Sequence, residues 1–179
     1  MRVISGSARG RKLISPDGNN VRPTLDRVKE AVFNMISFDI TDANILDLFA
    51  GSGALGIEAL SRGAKKAVFV DSESSSLSVV RQNLTLTRLE DRAECVHKDF
   101  SSYLETTHDS FDIIFLDPPY AAGFLEEALI KIRERKLLNE DGTIVCELDS
   151  QDEYHILDGY QLYRDKKYGK ARILLMKEL

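Results

Sequence analysis

The stretch Asp47-Leu48-Phe49-Ala50-Gly51-Ser52-Gly53-Ala54-Leu55-Gly56 decides the fold. It leaves an apolar run that begins at Ile45 and enters helix-forming residues, which puts its glycines at a strand-to-helix turn, the context in which such a motif carries meaning. Gly51 and Gly53 let the backbone approach a ligand, Gly56 eases helix packing, and Gly63 ends the helix before the next strand. Outward from this turn, short apolar strands are predicted over residues 45–49, 67–71, 93–98, 111–116 and 143–148. Helices are predicted over 55–61, 75–87 and 124–134, with a short piece around Tyr103. Such alternation requires crossover connections, and hence a largely parallel sheet covered by helices. Segments 161–165 and 171–176 flank Lys166-Lys167-Tyr168-Gly169-Lys170 and predict a terminal hairpin that makes the sheet mixed.

Ahead of the sheet, two short strands around a Ser/Gly-rich turn are expected at 2–5 and 11–14. A helix follows, with Thr24 as its cap and Val28, Ala31, Val32, Met35 and Ile36 at helical spacing. At 179 residues and 43% hydrophobic content the chain suits one domain, with residues 1–40 as an appendage on a main unit spanning 41–179. There is no basic segment followed by an apolar signal core and no run of 18 apolar residues, so a soluble cytosolic protein is expected. Cys95 and Cys146 lie far apart and read as strand thiols, with neither a disulfide nor a structural metal required.

Net charge is -5, which excludes a uniformly basic protein, yet its distribution is uneven. Residues 1–29 carry seven basic groups against two acidic ones, and Arg164, Lys166, Lys167, Lys170 and Arg172 oppose only Asp165 near the other end. Local basic surfaces on an acidic body suit a polyanion if the two segments converge.

The glycine motif alone fits either a dinucleotide or an adenosyl cofactor. Asp71, at the end of the second strand, can accept hydrogen bonds from both hydroxyls of a ribose. Asp99, after the third, can face an adenine amine with Phe100 as an apolar wall. The choice falls to Asp117-Pro118-Pro119-Tyr120, delivered at the carboxyl end of the strand 111–116. Two prolines fix the backbone and remove amide donors, leaving carbonyls in a rigid loop. The Asp117 carboxylate and Pro118 carbonyl then accept the two N–H groups of a planar exocyclic amine while Tyr120 stacks on its ring. Such an amine is a poor nucleophile, because its lone pair delocalises into the ring. Orienting it toward a sulfonium methyl group is therefore chiefly a matter of alignment and preorganised electrostatics. A dehydrogenase explains the glycines but leaves the tetrad without a use.

Taken together, these residues resemble, along nearly the whole chain, the bacterial 16S rRNA (guanine-N2)-methyltransferases of the RsmD type. Arg22-Pro23-Thr24, followed by Arg27, Glu30, Phe33 and Asn34, is similar to their N-terminal signature. Residues 47–56 resemble their adenosylmethionine loop, 117–120 their catalytic tetrad, and Tyr168-Gly169 their C-terminal segment on the substrate side. Family members often carry Glu where this chain has Asp71; both acids offer the same acceptors.

The resemblance implies a class I S-adenosylmethionine-dependent methyltransferase, α/β in class. Its Rossmann-like, mostly parallel seven-stranded sheet would carry an N-terminal hairpin-plus-helix appendage that binds RNA. It implies S-adenosylmethionine as cofactor, held by Asp47, Phe49, Ala50, Gly51, Ser52, Gly53, Asp71, Asp99 and Phe100, with Asp117, Pro118 and Tyr120 catalytic. It implies 16S rRNA within the small ribosomal subunit or an assembly intermediate as partner. The candidates for contact with that RNA, read from the basic ends, are Arg9, Arg11, Lys12, Arg22, Thr24 and Arg27, with Lys166, Lys167 and Lys170 as a second group, and a monomeric enzyme is expected. The tetrad by itself also permits a DNA adenine-N6-methyltransferase, which the short chain disfavours, and the basic ends by themselves permit a noncatalytic ribosome-assembly factor.

Overall fold

The computed structural model describes residues 1–15, 23–119 and 123–179. At its centre lie β1 (Asn44–Asp47), β2 (Lys66–Asp71) and β4 (Phe111–Leu116), whose near-continuous apolar runs are buried on both faces. Around them the described strands order as β3-β2-β1-β4-β5-β7-β6, with β3 Ala93–His97, β5 Leu138–Asp149, β6 Tyr160–Tyr168 and β7 Ala171–Glu178. The first five pair in parallel, and β7 runs antiparallel between β5 and β6. This is the predicted mixed sheet of seven strands.

The parallel part is connected by α2 (Ala54–Ser61), α3 (Ser74–Thr87), α4 (Phe100–Thr106) and α5 (Phe124–Glu134). Period-2 alternation divides the core between the two faces of the sheet. On β4, Ile113 and Phe115 join α2 and α3 on one face, while Ile114 and Leu116 join α4 and α5 on the other. After β1 the chain moves outward to β2 and β3, then returns to β4 on the other flank of β1. Strand order therefore reverses at β1 and β4, and an open α/β sheet binds its ligand beyond the carboxyl ends at that point.

Three expectations about local structure are corrected. The two N-terminal strands reduce to one antiparallel bridge, Arg2 with Lys12. The amides that would have extended the ladder go elsewhere: Ile4 and Ser5 donate to the Glu58 carboxylate at 2.9 and 3.0 Å, while Ala8, in the turn between the two segments, donates to the Ser61 hydroxyl at 2.9 Å. Helix α1 spans Pro23–Met35, so Thr24 lies inside its first turn instead of capping it, consistent with the preference of proline for the first helical position. Strand β5 starts at Leu138, five residues before the predicted start, because the turn-like residues 139–142 are absorbed as an irregularity between the Phe111–Leu138 and Ile113–Thr143 pairs.

The N-terminal segment is part of the core. Val3, Ala8 and Leu13 share the α2 and α3 face of the sheet with Val28, Val32 and Phe33 of α1 and with Ile36 just after it. Glu58 is fully buried and pairs with Lys29 at 3.1 Å and Arg62 at 2.8 Å. Burial lowers the Lys29 pKa even though the Glu58 charge opposes the shift. Among the described residues, no helix is long and apolar enough to cross a membrane.

Candidate active site

β1 ends at Asp47 and hands the chain to the glycine turn. Gly51 and Gly53 take positive φ, 55° and 77°, and Gly53 caps α2. A Cβ at Gly51 would meet nothing within 4 Å, so the turn is open on that side, whereas a Cβ at Gly56 would lie 2.3 Å from the Phe69 ring. One glycine thus leaves room for a ligand and the other lets α2 sit on β2.

Asp47 is 2% exposed and accepts the Gly56 N–H at 3.0 Å. Burial pushes its pKa up to about 7; the Gly56 hydrogen bond opposes the rise, and the negative charges of Asp117 and Asp71 add to it. Its carboxylate therefore holds the turn against α2. Asp71, at the end of β2, accepts N–H groups from Gly51 at 2.9 Å and Glu73 at 2.8 Å. Each carboxylate oxygen has a second lone pair, which leaves room for ribose hydroxyls. Asp99 caps α4 by accepting the Ser102 N–H at 2.9 Å, a bond that holds its carboxyl below the usual range. Phe100 packs between Phe49 and Phe124, with ring centroids 5.1 and 5.0 Å away, and closes the apolar side. An open glycine turn, a ribose-capable acid and an aromatic wall at one switch point fit an adenosyl group.

On the other flank, Asp117, Pro118 and Pro119 follow β4 into a cleft of about 1010 Å³. Val28 of α1, Glu147 of β5, Tyr168 at the end of β6 and Gly169-Lys170 of the β6–β7 turn also line it. Helix α1 and the C-terminal hairpin therefore border one opening. Tyr120 lies outside the described residues, as does Arg22, and the Thr24 side chain is not described. Asp117 reaches solvent, yet the cleft walls desolvate its carboxylate and raise its pKa. Glu147 is raised as well, by burial first and by the Asp117 charge second.

The basic residues divide by position. Arg27 is exposed next to Val28, and Lys170 lines the cleft. Lys166 is exposed on β6, and Lys167 donates to the Ser150 carbonyl at 2.7 Å. Arg9, Arg11 and Lys12 are exposed, but the Arg9 turn docks on Ser61, at the end of α2 remote from the glycine turn. With eight residues at 1.5 Å each, the helix separates the two by about 12 Å.

Two polar residues at the site carry no motif. The buried Asn83 of α3 accepts the Ile14 N–H at 2.7 Å and donates to the carbonyls of Ile14 and Ser52, both at 2.9 Å, joining the N-terminal segment to the glycine turn. Glu147 stands beside Asp117. The only sequence signal for either is a polar residue within an apolar pattern: Asn83 among Val80 and Leu84, and Glu147 at the end of Ile144-Val145-Cys146.

A family model described as "Conserved hypothetical protein 95" matches residues 1–177. The chain is 41% identical over 182 residues to a "Putative rRNA methyltransferase YlbH" of Bacillus subtilis, with 99% of each covered. It is 36% identical to "Ribosomal RNA small subunit methyltransferase D" of Escherichia coli, covering 96% of this chain and 86% of that protein. Among solved structures it is similar to a "Putative methyltransferase yhhF" of Escherichia coli, with TM-score 0.87, 34% identity and coverage of 99% and 97%. It is also similar to a putative methylase, HI0767, of Haemophilus influenzae, with TM-score 0.83, 32% identity and coverage of 100% and 98%.

Proposed function

Because the chain belongs to the Conserved hypothetical protein 95 family, in company with small-subunit ribosomal RNA methyltransferases, we infer that it methylates the exocyclic N2 amine of a guanine in 16S rRNA. S-adenosylmethionine is the cofactor and supplies an activated, positively charged methyl donor. The observation that carries the reading is the delivery of Asp117-Pro118-Pro119 into a cleft next to the switch point that holds the open glycine turn.

The residue roles extend this reading. Gly51, Gly53, Phe49, Ala50, Ser52 and Asp71 hold the cofactor with Asp99 and Phe100, while Asp47 keeps the turn in shape. Asp117 and the Pro118 carbonyl accept the two N–H groups of the amine and turn its lone pair toward the methyl donor, with Tyr120 stacking on the base. Positioning of this kind replaces a bimolecular encounter with a fixed approach and needs no covalent enzyme intermediate. The raised pKa of Asp117 suits it to take up the proton that the amine releases after transfer. Residues 1–40 serve as the RNA-binding appendage to the unit 41–179. Arg27, Lys166 and Lys170 neutralise phosphates near the opening, and Arg9, Arg11 and Lys12 meet RNA farther along the same face. The substrate is the small ribosomal subunit or its assembly intermediate, and the enzyme acts in the cytoplasm as a monomer.

The test supplies purified protein with isotopically labelled S-adenosylmethionine and, separately, naked 16S rRNA, assembling small subunits or duplex DNA, and then identifies the labelled nucleoside by digestion. N2-methylguanosine from small-subunit RNA is expected. Label on DNA adenine alone overturns the substrate, and tight cofactor binding without transfer to any acceptor overturns the activity in favour of an assembly factor.

A further inference from the structure

Within the methyl-transfer cleft stands a second carboxylate that neither the glycine turn nor the tetrad uses. β4 and β5 run parallel, with Leu116 opposite Cys146, so Asp117, just past the end of β4, and Glu147, still within β5, stand at the same level. Neighbouring strands are about 4.8 Å apart. Leu116 and Cys146 both enter the α4 and α5 core, which assigns the following positions to the opposite face, where α1 contributes Val28 to the cleft wall.

Among the described residues that line the cleft, Glu147 is the carboxylate that combines partial burial with the absence of any hydrogen-bond donor. Asp149 receives the Gln151 N–H, and Glu126, Asp152 and Glu153 are exposed. Asp117 likewise has no donor among the described residues. A carboxylate taken partly out of water without a donor, as Glu147 is, is unfavourable, and a ligand that brings an N–H group relieves it; Asp117, exposed at the mouth of the cleft, is free to accept from the same ligand. The edge of guanine that carries N2 offers three in one plane, two on N2 and one on N1. Asp117 and the Pro118 carbonyl account for the N2 pair. The remaining donor, N1–H, faces the neighbouring strand.

We propose that Glu147 is the residue that specifies guanine, its carboxylate accepting N1–H while Asp117 and Pro118 hold N2. This rests on the guanine-N2 reading of the same site and names the group that enforces it. A base whose N1 is unprotonated, such as adenine or 2-aminopurine, turns a lone pair toward the carboxylate and is rejected. Proximity of the two acids fits this role. Burial raises both pKa values in the free protein, and the Asp117 charge adds to the rise at Glu147; donors on guanine favour the ionised forms together.

The experiment uses small subunits reconstituted with 16S rRNA carrying guanine or 2-aminopurine at the methylated position. Both bases keep the N2 amine; 2-aminopurine lacks the N1 proton and, with it, the O6 oxygen, so the change in ratio between wild type and the Glu147 variants, and not the wild-type ratio alone, reads the N1 contact. Wild-type, E147Q and E147A proteins are compared by label transfer, with cofactor affinity and melting temperature as controls. The wild-type protein is expected to favour guanine by about 10- to 100-fold in kcat/KM, the range for a hydrogen bond to a charged group. E147Q, whose amide can accept from N1–H or donate to N1, is expected to reduce that preference to about threefold or less by losing on guanine and gaining on 2-aminopurine. An unchanged ratio in both variants, even with a general loss of rate, overturns the assignment. Failure of the wild-type protein to label guanine overturns the reading beneath it instead, so the two failures are distinguishable.

Discussion

Asp47→Asn is expected to stabilise the protein above neutral pH and to do so progressively less as pH falls. The Asp47 carboxyl is 2% exposed, and its pKa rises from 3.8 to about 7 on folding. Between those values the native state holds a proton that the unfolded chain has released, so stability falls as pH rises through the window and levels off above the folded pKa. Each unit corresponds to about 1.36 kcal/mol. At pH 5 just over one unit of the penalty has accrued, and by pH 8 all of the roughly three units have, which leaves a change of about 2–3 kcal/mol across that interval. Asparagine does not titrate, and its side-chain oxygen can still accept the Gly56 N–H. The stability advantage of the variant over the parent should therefore grow by about 2–3 kcal/mol from pH 5 to pH 8, or about 5–10 °C in Tm for a chain of this size. Urea denaturation at pH 5, 6, 7 and 8 with linear extrapolation measures it. Asp117 and Glu147 titrate in both proteins and largely cancel in the difference. Parallel stability curves would refute the assignment of a protonated, buried Asp47.

Glu58→Ala should cost about 3–5 kcal/mol in denaturant, since it strands buried Lys29 and removes the acceptor for the amides of Ile4 and Ser5; a loss below about 1 kcal/mol contradicts the buried hub. Gly56→Ala places a Cβ 2.3 Å from the Phe69 ring, so a loss of about 1–3 kcal/mol is expected with weaker cofactor binding by calorimetry, and unchanged values of both argue against close packing of α2 on β2. Asn83→Leu unties Ile14 from the glycine turn and should both weaken cofactor affinity and speed proteolysis within the first 15 residues; an unchanged cleavage rate would show that the segment is held by other means. Asp117→Ala should abolish transfer while cofactor affinity changes by less than about threefold, because that side chain faces the substrate cleft; equal loss of both would contradict the division of labour.

The sequence alone determined the features that depend on local chemistry. The strand-turn-helix around Gly51 and Gly53, the alternation of strands and helices, and the placing of Asp117-Pro118-Pro119 after β4 all follow from hydrophobic period, positive-φ turns and the geometry of proline. Only the tertiary structure decided which carboxylates act at a distance from their motif. Asp47 stands at the head of the glycine motif, yet it is a buried pin whose pKa is raised first by burial and further by the charge of Asp117, seventy residues away in the chain. Glu147 gains its place only through the β4–β5 register, and Asn83 gains its place only because two segments remote in sequence, at Ile14 and Ser52, bring their backbones to one buried amide. The N-terminal strands failed to form for the same reason: Glu58 offered the amides of Ile4 and Ser5 acceptors that no local pattern reveals. Burial and long-range pairing are properties of the packed chain, so a residue whose work is to satisfy them leaves no more trace in the sequence than a polar letter in an apolar run.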